Sequence, residues 1–463
     1  MNERPDPRFD RRTFLHLASA TALASCAGGN SSTAPPVPAS SPTAVPTPIV
    51  TSAATSQPTS SASPVSTPTA SATATAVPTA TAVPTPTAAP TATAKPTATA
   101  KPTATPSAAA TATPTPVSTT VPSPTGTYLV IANNTSFPNS AVYVYAIGFI
   151  PNSNPLTSAY ITNNGTLVPA GNSLVPPLTL AATGDTIVPM PYITSARVWI
   201  SLGAPLQLGD GMQPGFGSNT PQLYDWFELN YGQSGSGTGS LFINTTQVDM
   251  FGLPITLQIN WAGGSQTVGV PNGQRAAIFA AMRADPVLTN LIVSSGGTDL
   301  RVMAINHGID SGLVPATYLD AYIDAVWSYY TTNTLQYAQS TARVVGGNLV
   351  FTGAISTSVA QPTSSQAIGG VNAVGTVSPF LTAGLNRGTL IPATGVNNAG
   401  QQPDNTAADF YQTTPTNAYS KIFHQYNLNN LAYGFSFDDF GGFSSTVAPP
   451  TTPTSITATL SAF

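Results

Sequence analysis

The chain is 463 residues long and carries 13 lysines and arginines against 17 aspartates and glutamates, a formal net charge of −4, with only 6% of its residues charged. Beyond Gly126 the cations reduce to Lys421 and the arginines Arg197, Arg275, Arg283, Arg301, Arg343 and Arg387, which leaves no electrostatic footprint for nucleic acid or an anionic lipid surface. Cys26 is the only cysteine, so an intramolecular disulfide is excluded.

The first element is an export signal. Arg11-Arg12-Thr13-Phe14-Leu15 sets a paired arginine before a bulky apolar pair, and a modestly apolar run follows as far as Leu23-Ala24-Ser25-Cys26. An apolar stretch of about ten residues is too short to span a bilayer. Leu-Ala-Ser-Cys resembles the lipobox of bacterial lipoproteins, which implies lipid attachment at Cys26; the alternative is a plain cleaved signal with an incidental cysteine. Residues 1–26 thus read as a twin-arginine signal with a lipobox. That route carries proteins already folded, which suits a chain that can form no disulfide. The expected location is the cell surface, with the lipid as the sole membrane contact.

Residues 27–125 are almost entirely Pro, Thr, Ser, Ala and Val, including the near-repeat Lys95-Pro-Thr-Ala-Thr-Ala and Lys101-Pro-Thr-Ala-Thr. Without aromatic or leucine side chains the segment cannot build a core, and its prolines favour extended conformations. It reads as a tether; at about 3.1 Å per residue its fully extended reach is on the order of 300 Å. Its threonine density also resembles that of O-glycosylated stalks.

Residues 126–463 have the apolar and aromatic content of a folded unit, expected as a monomer. Alternating segments at Tyr128 to Asn133, Ala141 to Ile150, Ala196 to Ser201, Leu223 to Tyr231, Leu241 to Met250 and Ile255 to Trp261 predict an antiparallel sandwich or barrel. Helical spacing then appears over Gly273 to Ala284 and Ala316 to Tyr330. Strand-like segments return at Asn348 to Thr352 and from Ala432 to Phe437 through Leu460. The fold is therefore read as mainly β, a core of 126–261 and 375–463 interrupted by a smaller α/β lobe over 262–374. A surface rich in Asn, Thr, Ser, Gln and Tyr fits a neutral, hydroxyl-bearing partner such as carbohydrate, or is simply a polar extracellular surface.

Candidate catalytic groups are few. Glutamate occurs only at Glu3 and Glu228, the latter within Asp225-Trp226-Phe227-Glu228-Leu229-Asn230. Period-two alternation puts Phe227 and Leu229 on one face and Trp226, Glu228 and Asn230 on the other. In the next segment Val248 and Met250 share a face, and Gln247 and Asp249 oppose them. If these form one hairpin with a common apolar face, even positions pair with odd, and a turn at Thr238-Gly239 sets Glu228 across from Asp249. A turn nearer Gly235 slides the two acids several residues apart. Carboxyls about 6.5–9.5 Å apart suit an inverting glycosidase and about 5 Å a retaining one.

These segments resemble the signature hairpin of glycoside hydrolase family 64: a Trp-Phe-Glu-Leu strand, a Gly-rich turn, then Ile243-Asn-Thr-Thr-Gln-Val-Asp249-Met-Phe-Gly-Leu-Pro-Ile-Thr256. Arg275-Ala-Ala-Ile-Phe-Ala-Ala-Met282, Tyr318-Leu-Asp-Ala-Tyr-Ile-Asp-Ala-Val-Trp327 and Tyr433-Gly-Phe-Ser-Phe-Asp-Asp439 follow in the family's order. The resemblance implies an endo-acting β-1,3-glucanase with a thaumatin-like β barrel or sandwich and an α/β lobe, the glucan lying in a groove between them. It implies inversion, with Glu228 as general acid and Asp249 as general base. Two departures stand out: the usual Glu-Phe-Thr is Glu228-Leu229-Asn230, and the turn is longer and richer in Gly and Ser.

Around that pair, Trp226, Asn230, Gln247, Asp438 and Asp439 are candidate sugar contacts, with Trp226 favoured over Tyr224, Tyr231, Trp261 and Tyr433 as a stacking platform. Asp438 and Asp439 read equally as a polar turn. No cofactor is expected, and His307 and His424 are too isolated in sequence to form a metal site. A Ser/His/Asp triad stays open, although no Gly-x-Ser-x-Gly elbow occurs. Two other classes compete: a glucan-binding domain without catalysis, and a surface adhesin.

Overall fold

The computed structural model describes residues 123–462, apart from 172–173, 209–213, 218–219, 234–238, 393–400 and 403–405. The signal, Cys26 and nearly all of the tether lie outside the described residues.

Two sheets face one another. The first has six strands, in the order Leu167–Pro169, Ser158–Ile161, Val142–Phe149, Ile193–Leu202, Leu223–Gln233 and Gly239–Asn244, every neighbouring pair antiparallel. The second has five, in the order Gly264–Gly269, Ile255–Trp261, Pro453–Leu460, Tyr128–Asn133 and Thr186–Pro189. In this second sheet the last strand of the domain runs parallel to the first, Tyr128 opposite Ser455, so the two ends of the domain are zipped together.

Alternation explains which faces meet. Ala196, Val198, Ile200 and Leu202 alternate with Arg197, Trp199 and Ser201, and the first set joins Phe227, Leu229, Leu241 and Ile243 in the common core. Leu257, Ile259, Ile456 and Ala458 meet them from the second sheet. The predicted β sandwich is therefore present. Four short strands that sequence patterning did not reveal, Ser158–Ile161, Leu167–Pro169, Thr186–Pro189 and Gly264–Gly269, complete the two sheets at their edges. They are too short or too polar for alternation to stand out.

The remaining chain forms helices and two smaller sheets. Gln274–Ala284 and Asp320–Tyr329 are the two predicted helices, the second beginning four residues later than its periodicity suggested. The lobe does not stop at Val374. Val377–Arg387 and Ala418–Tyr426 are helices, and Gln401–Gln402 pairs in parallel with Leu335–Tyr337 in a five-stranded sheet. Ala432 to Phe437, predicted as a strand, is irregular. Its alternating apolar residues are buried by packing onto the helix Ala418–Tyr426, where Gly434 approaches Ser420 too closely for any side chain.

Candidate active site

The site lies on the outer face of the six-stranded sheet. Arg197 and Glu228 are direct cross-strand partners there, and the guanidinium holds the carboxylate with both Nε and Nη2 at 3.0 Å from Glu228 Oε1. The same Nη2 lies 3.7 Å from Asp249 Oδ2. These two carboxylate oxygens therefore stand no farther apart than the sum of those lengths, a bound that admits the spacing of a retaining pair and the lower edge of the inverting range. Asp249 Oδ1 is 3.0 Å from His307 Nε2, and Phe216 packs on the imidazole with ring centroids 4.6 Å apart. One guanidinium serves two carboxylates, so Arg197, Glu228 and Asp249 together are electrically neutral when one carboxyl carries a proton.

Asp249 does not reach Glu228 through the pairing with the turn at Thr238-Gly239. The observed register sets Gln233 opposite Gly239 and Glu228 opposite Asn244, the alternative in which the turn lies closer to Gly235. Even positions pair with even because the strand ends at Asn244, so Val248 and Met250 do not continue its alternation. Met250–Phe251 pairs instead with Thr298–Met303.

Buried polar groups hold the segment between. Asp225, on the inward face of the glutamate's strand, accepts from the backbone N–H of Gly252 at 2.7 Å and of Leu253 at 3.0 Å. Arg275 Nε donates to the Gly252 carbonyl at 2.6 Å. A Cβ on Gly252 would stand 2.3 Å from the Tyr224 carbonyl oxygen, so this approach requires glycine. Ala304 N–H donates to the carbonyl of Asp249 itself at 2.9 Å, and the next helix, Ile305–Asp310, delivers His307.

The other predicted contacts divide. Asn230 stays on the open face, its side-chain oxygen accepting from Ser195 N–H at 3.3 Å. Gln247 is buried and accepts from the backbone N–H of Tyr433, so it positions the segment and offers nothing outward. Trp226 is only 1% exposed, packed at a tilt against Trp199 at 4.6 Å and stacked with Phe216 at 6.0 Å. It is a bed for Arg197, whose guanidinium carbon lies 5.4 Å from its ring, and not an open platform. The reason is a roof: the segment around Leu206 and Phe216 covers this part of the face, anchored by the fully buried Arg301, which donates to the carbonyls of Phe216, Gly217, Thr220 and Gln222. Tyr224, Tyr231 and Tyr433 are likewise buried, and Trp261 sits in the other sheet.

Asp438 has no exposed surface. Arg387 and His424 pair with its carboxylate at 3.0 and 3.1 Å, and Ser420 Oγ and Gly434 N–H donate to it. The expectation that it lines a groove gives way to a buried ion pair. Ser420, His424 and Asp438 do come together, but the hydroxyl bonds the aspartate and not the imidazole, so this is no nucleophilic triad. Asp439 beside it keeps partial exposure.

Several of these acids set a pH dependence of stability. Burial pushes Asp225 up to about 7 and Asp439 up to about 6. The folded state then keeps protons that the unfolded chain releases above about pH 4, so stability falls as pH rises through that interval. His424 acts in the same direction: burial alone would lower it, but the Asp438 charge raises it, and its contribution is lost as pH rises through the raised value. Asp438 opposes them. Burial would raise it, but His424 and Arg387 hold it below the usual range, a contribution lost only as pH falls below about 4. The melting temperature is expected to be highest near pH 4 and to fall toward pH 8, by the equivalent of a few kcal/mol. Thermal melts at constant ionic strength check this; a melting temperature that rose steadily to pH 8 would contradict it.

Arg197 and His307 are the site residues that sequence reading missed. Arg197 lies in a segment read only as a strand, and nothing local says that this strand lies next to that of Glu228. His307 carries no local signal.

Two carboxyls held this close together fall within the spacings that two-carboxylate glycoside hydrolases use. Residues 127–460 match the family model of glycoside hydrolase family 64, described as beta-1,3-glucanase, and the chain belongs to that family. Among curated proteins it is 31% identical over 247 residues to a glucan endo-1,3-beta-glucosidase of Cellulosimicrobium cellulans and equally to one of Arthrobacter sp. (strain YCWD3). The match takes in 49% of this chain and 43% of each relative, so the chain spans less than half the length of either. Among solved structures, a laminaripentaose-producing beta-1,3-glucanase in complex with laminaritetraose is 29% identical with a TM-score of 0.62, over 72% of this chain and 98% of that one. The beta-1,3-glucanase domain from Clostridium beijerinckii, 23% identical with a TM-score of 0.59 over 73% of this chain and 98% of that one, shares the fold.

Proposed function

We propose that this protein cleaves internal bonds of β-1,3-glucan with inversion at the anomeric carbon. The observation that carries this reading is Arg197, whose one guanidinium reaches both the partly exposed Glu228 and the largely buried Asp249. In this mechanism Asp249 takes a proton from water as its oxygen attacks the anomeric carbon. The bond to the glycosidic oxygen breaks, and Glu228 gives that oxygen a proton. His307, bonded to Asp249 Oδ1, fixes the plane of the base. Arg197 keeps the acid and the base from drifting apart and balances the charge that remains. The likeness to a glucanase solved with laminaritetraose supports the choice of substrate.

The test is incubation of the purified protein with laminarin or curdlan, with products followed by NMR from the first minutes. Soluble oligosaccharides of initially α configuration support the proposal. An initial β anomer contradicts inversion, and glucan binding without release would make the domain a lectin.

We further propose that the enzyme works at the cell surface, held by a lipid on Cys26 through the Pro/Thr-rich tether. An insoluble polymer cannot diffuse to a cell, and a flexible tether lets an anchored enzyme sweep it. Cys26→Ser is expected to shed the protein into the medium with activity unchanged, as read by cell fractionation. Retention of that variant on the cell would rule out the lipid anchor.

A further inference from the structure

We infer that Tyr160 is a platform for a glucosyl unit remote from the point of cleavage, so that the bound glucan runs across the strands of the six-stranded sheet. This rests on the glucan-hydrolase reading above. Directly paired residues of an antiparallel sheet share a face. The register sets Val168 opposite Tyr160, Tyr160 opposite Ile147, Ile147 opposite Arg197, Arg197 opposite Glu228, and Glu228 opposite Asn244. One residue from each strand thus forms a single transverse row, and the proposed acid is part of it.

Tyr160 is three strands from Glu228. At about 4.8 Å per strand the separation is about 14 Å, the length of a short oligosaccharide and not of one sugar. The neighbouring row, Tyr145, Trp199 and Trp226, is buried, because Tyr145 Oη bonds the backbone of Leu206 and Phe216 stacks on Trp226. That roof ends at the row of Tyr160, whose members Tyr160, Ile147, Arg197 and Glu228 are all partly exposed. The Tyr160 ring packs its inner side against the buried aromatic cluster, and its hydroxyl makes no hydrogen bond to any described residue. A partly exposed tyrosine ring held from behind, with a hydroxyl bonded to no described residue, suits the C–H face of a pyranose and one of its hydroxyls. Ile147 supplies an apolar floor between this ring and Arg197. The occupant follows from continuity: a chain bound for cleavage at Glu228 that leaves the site along this row meets Ile147 and then Tyr160.

The experiment compares Tyr160→Ala, Tyr160→Phe and Tyr160→Trp with the unmodified sequence on laminari-oligosaccharides of increasing length. It reads kcat and KM for hydrolysis, and binding by calorimetry in a Glu228→Gln background. Tyr160→Ala is expected to lower the ratio of long-chain to short-chain kcat/KM about 3–10-fold, through KM, with parallel weakening of long-chain binding. Tyr160→Phe and Tyr160→Trp are expected to keep the ratio. A ratio unchanged in Tyr160→Ala, or a loss equal at every length, overturns the inference. If the unmodified protein binds glucan but releases nothing, the hydrolase reading fails, while a length-dependent loss of binding in Tyr160→Ala still upholds the platform. If it neither binds nor cleaves, both fail.

Discussion

Glu228→Gln and Asp249→Asn are each expected to lower kcat on laminarin by about 10²–10⁴-fold while leaving KM and the melting temperature nearly unchanged. Glutamine keeps the size of Glu228 and an oxygen for Arg197, which bonds Oε1 through Nε and Nη2, yet it has no acidic proton for the leaving oxygen. Asparagine likewise keeps an oxygen within reach of His307 or Arg197 but cannot take a proton from water. The two losses are not expected to add, because acid and base act in one transition state. Steady-state rates and thermal melts of both variants check this. If either variant kept more than a tenth of the original kcat, that residue would not hold the role assigned to it.

The second large effect is on stability. Asp438→Ala is expected to cost about 3–5 kcal/mol, because it leaves the Arg387 guanidinium, itself 2% exposed, without its buried partner. His424 Nε2, Ser420 Oγ and Gly434 N–H lose their acceptor at the same time. Urea unfolding measures the loss. A groove residue that hydrogen-bonded sugar would behave in the opposite way, raising KM with little change in the unfolding midpoint. The same distinction applies to Gln247, whose side chain and backbone both clamp Tyr433.

The contrast between Glu228 and Asp438 shows what kind of information the sequence carried. Both were candidate groove acids. Glu228 was placed correctly on an outer face because Phe227 and Leu229 flank it, and strand alternation is a local property of consecutive residues. Asp438 follows an irregular segment with no periodicity to orient it, and its burial depends on Arg387 and His424 from two separate helices. Trp226 failed differently. Its face was right, but the roof that buries it comes from the segment around Leu206 and Phe216, and no pattern within its own strand reports that cover.

The sequence by itself determined the β sandwich, the inward and outward faces of its long strands, the two helices that follow, and the motif that marks the family. Each rests on neighbours along the chain. Tertiary structure alone decided the register that sets Glu228 opposite Asn244 and the return of Asp249 by way of Asp225 and Arg275. It also decided the choice of Arg197 and His307 as the partners of the two acids. Strand order and segment packing are fixed by contacts between residues far apart in sequence, so they arise only when the whole core closes.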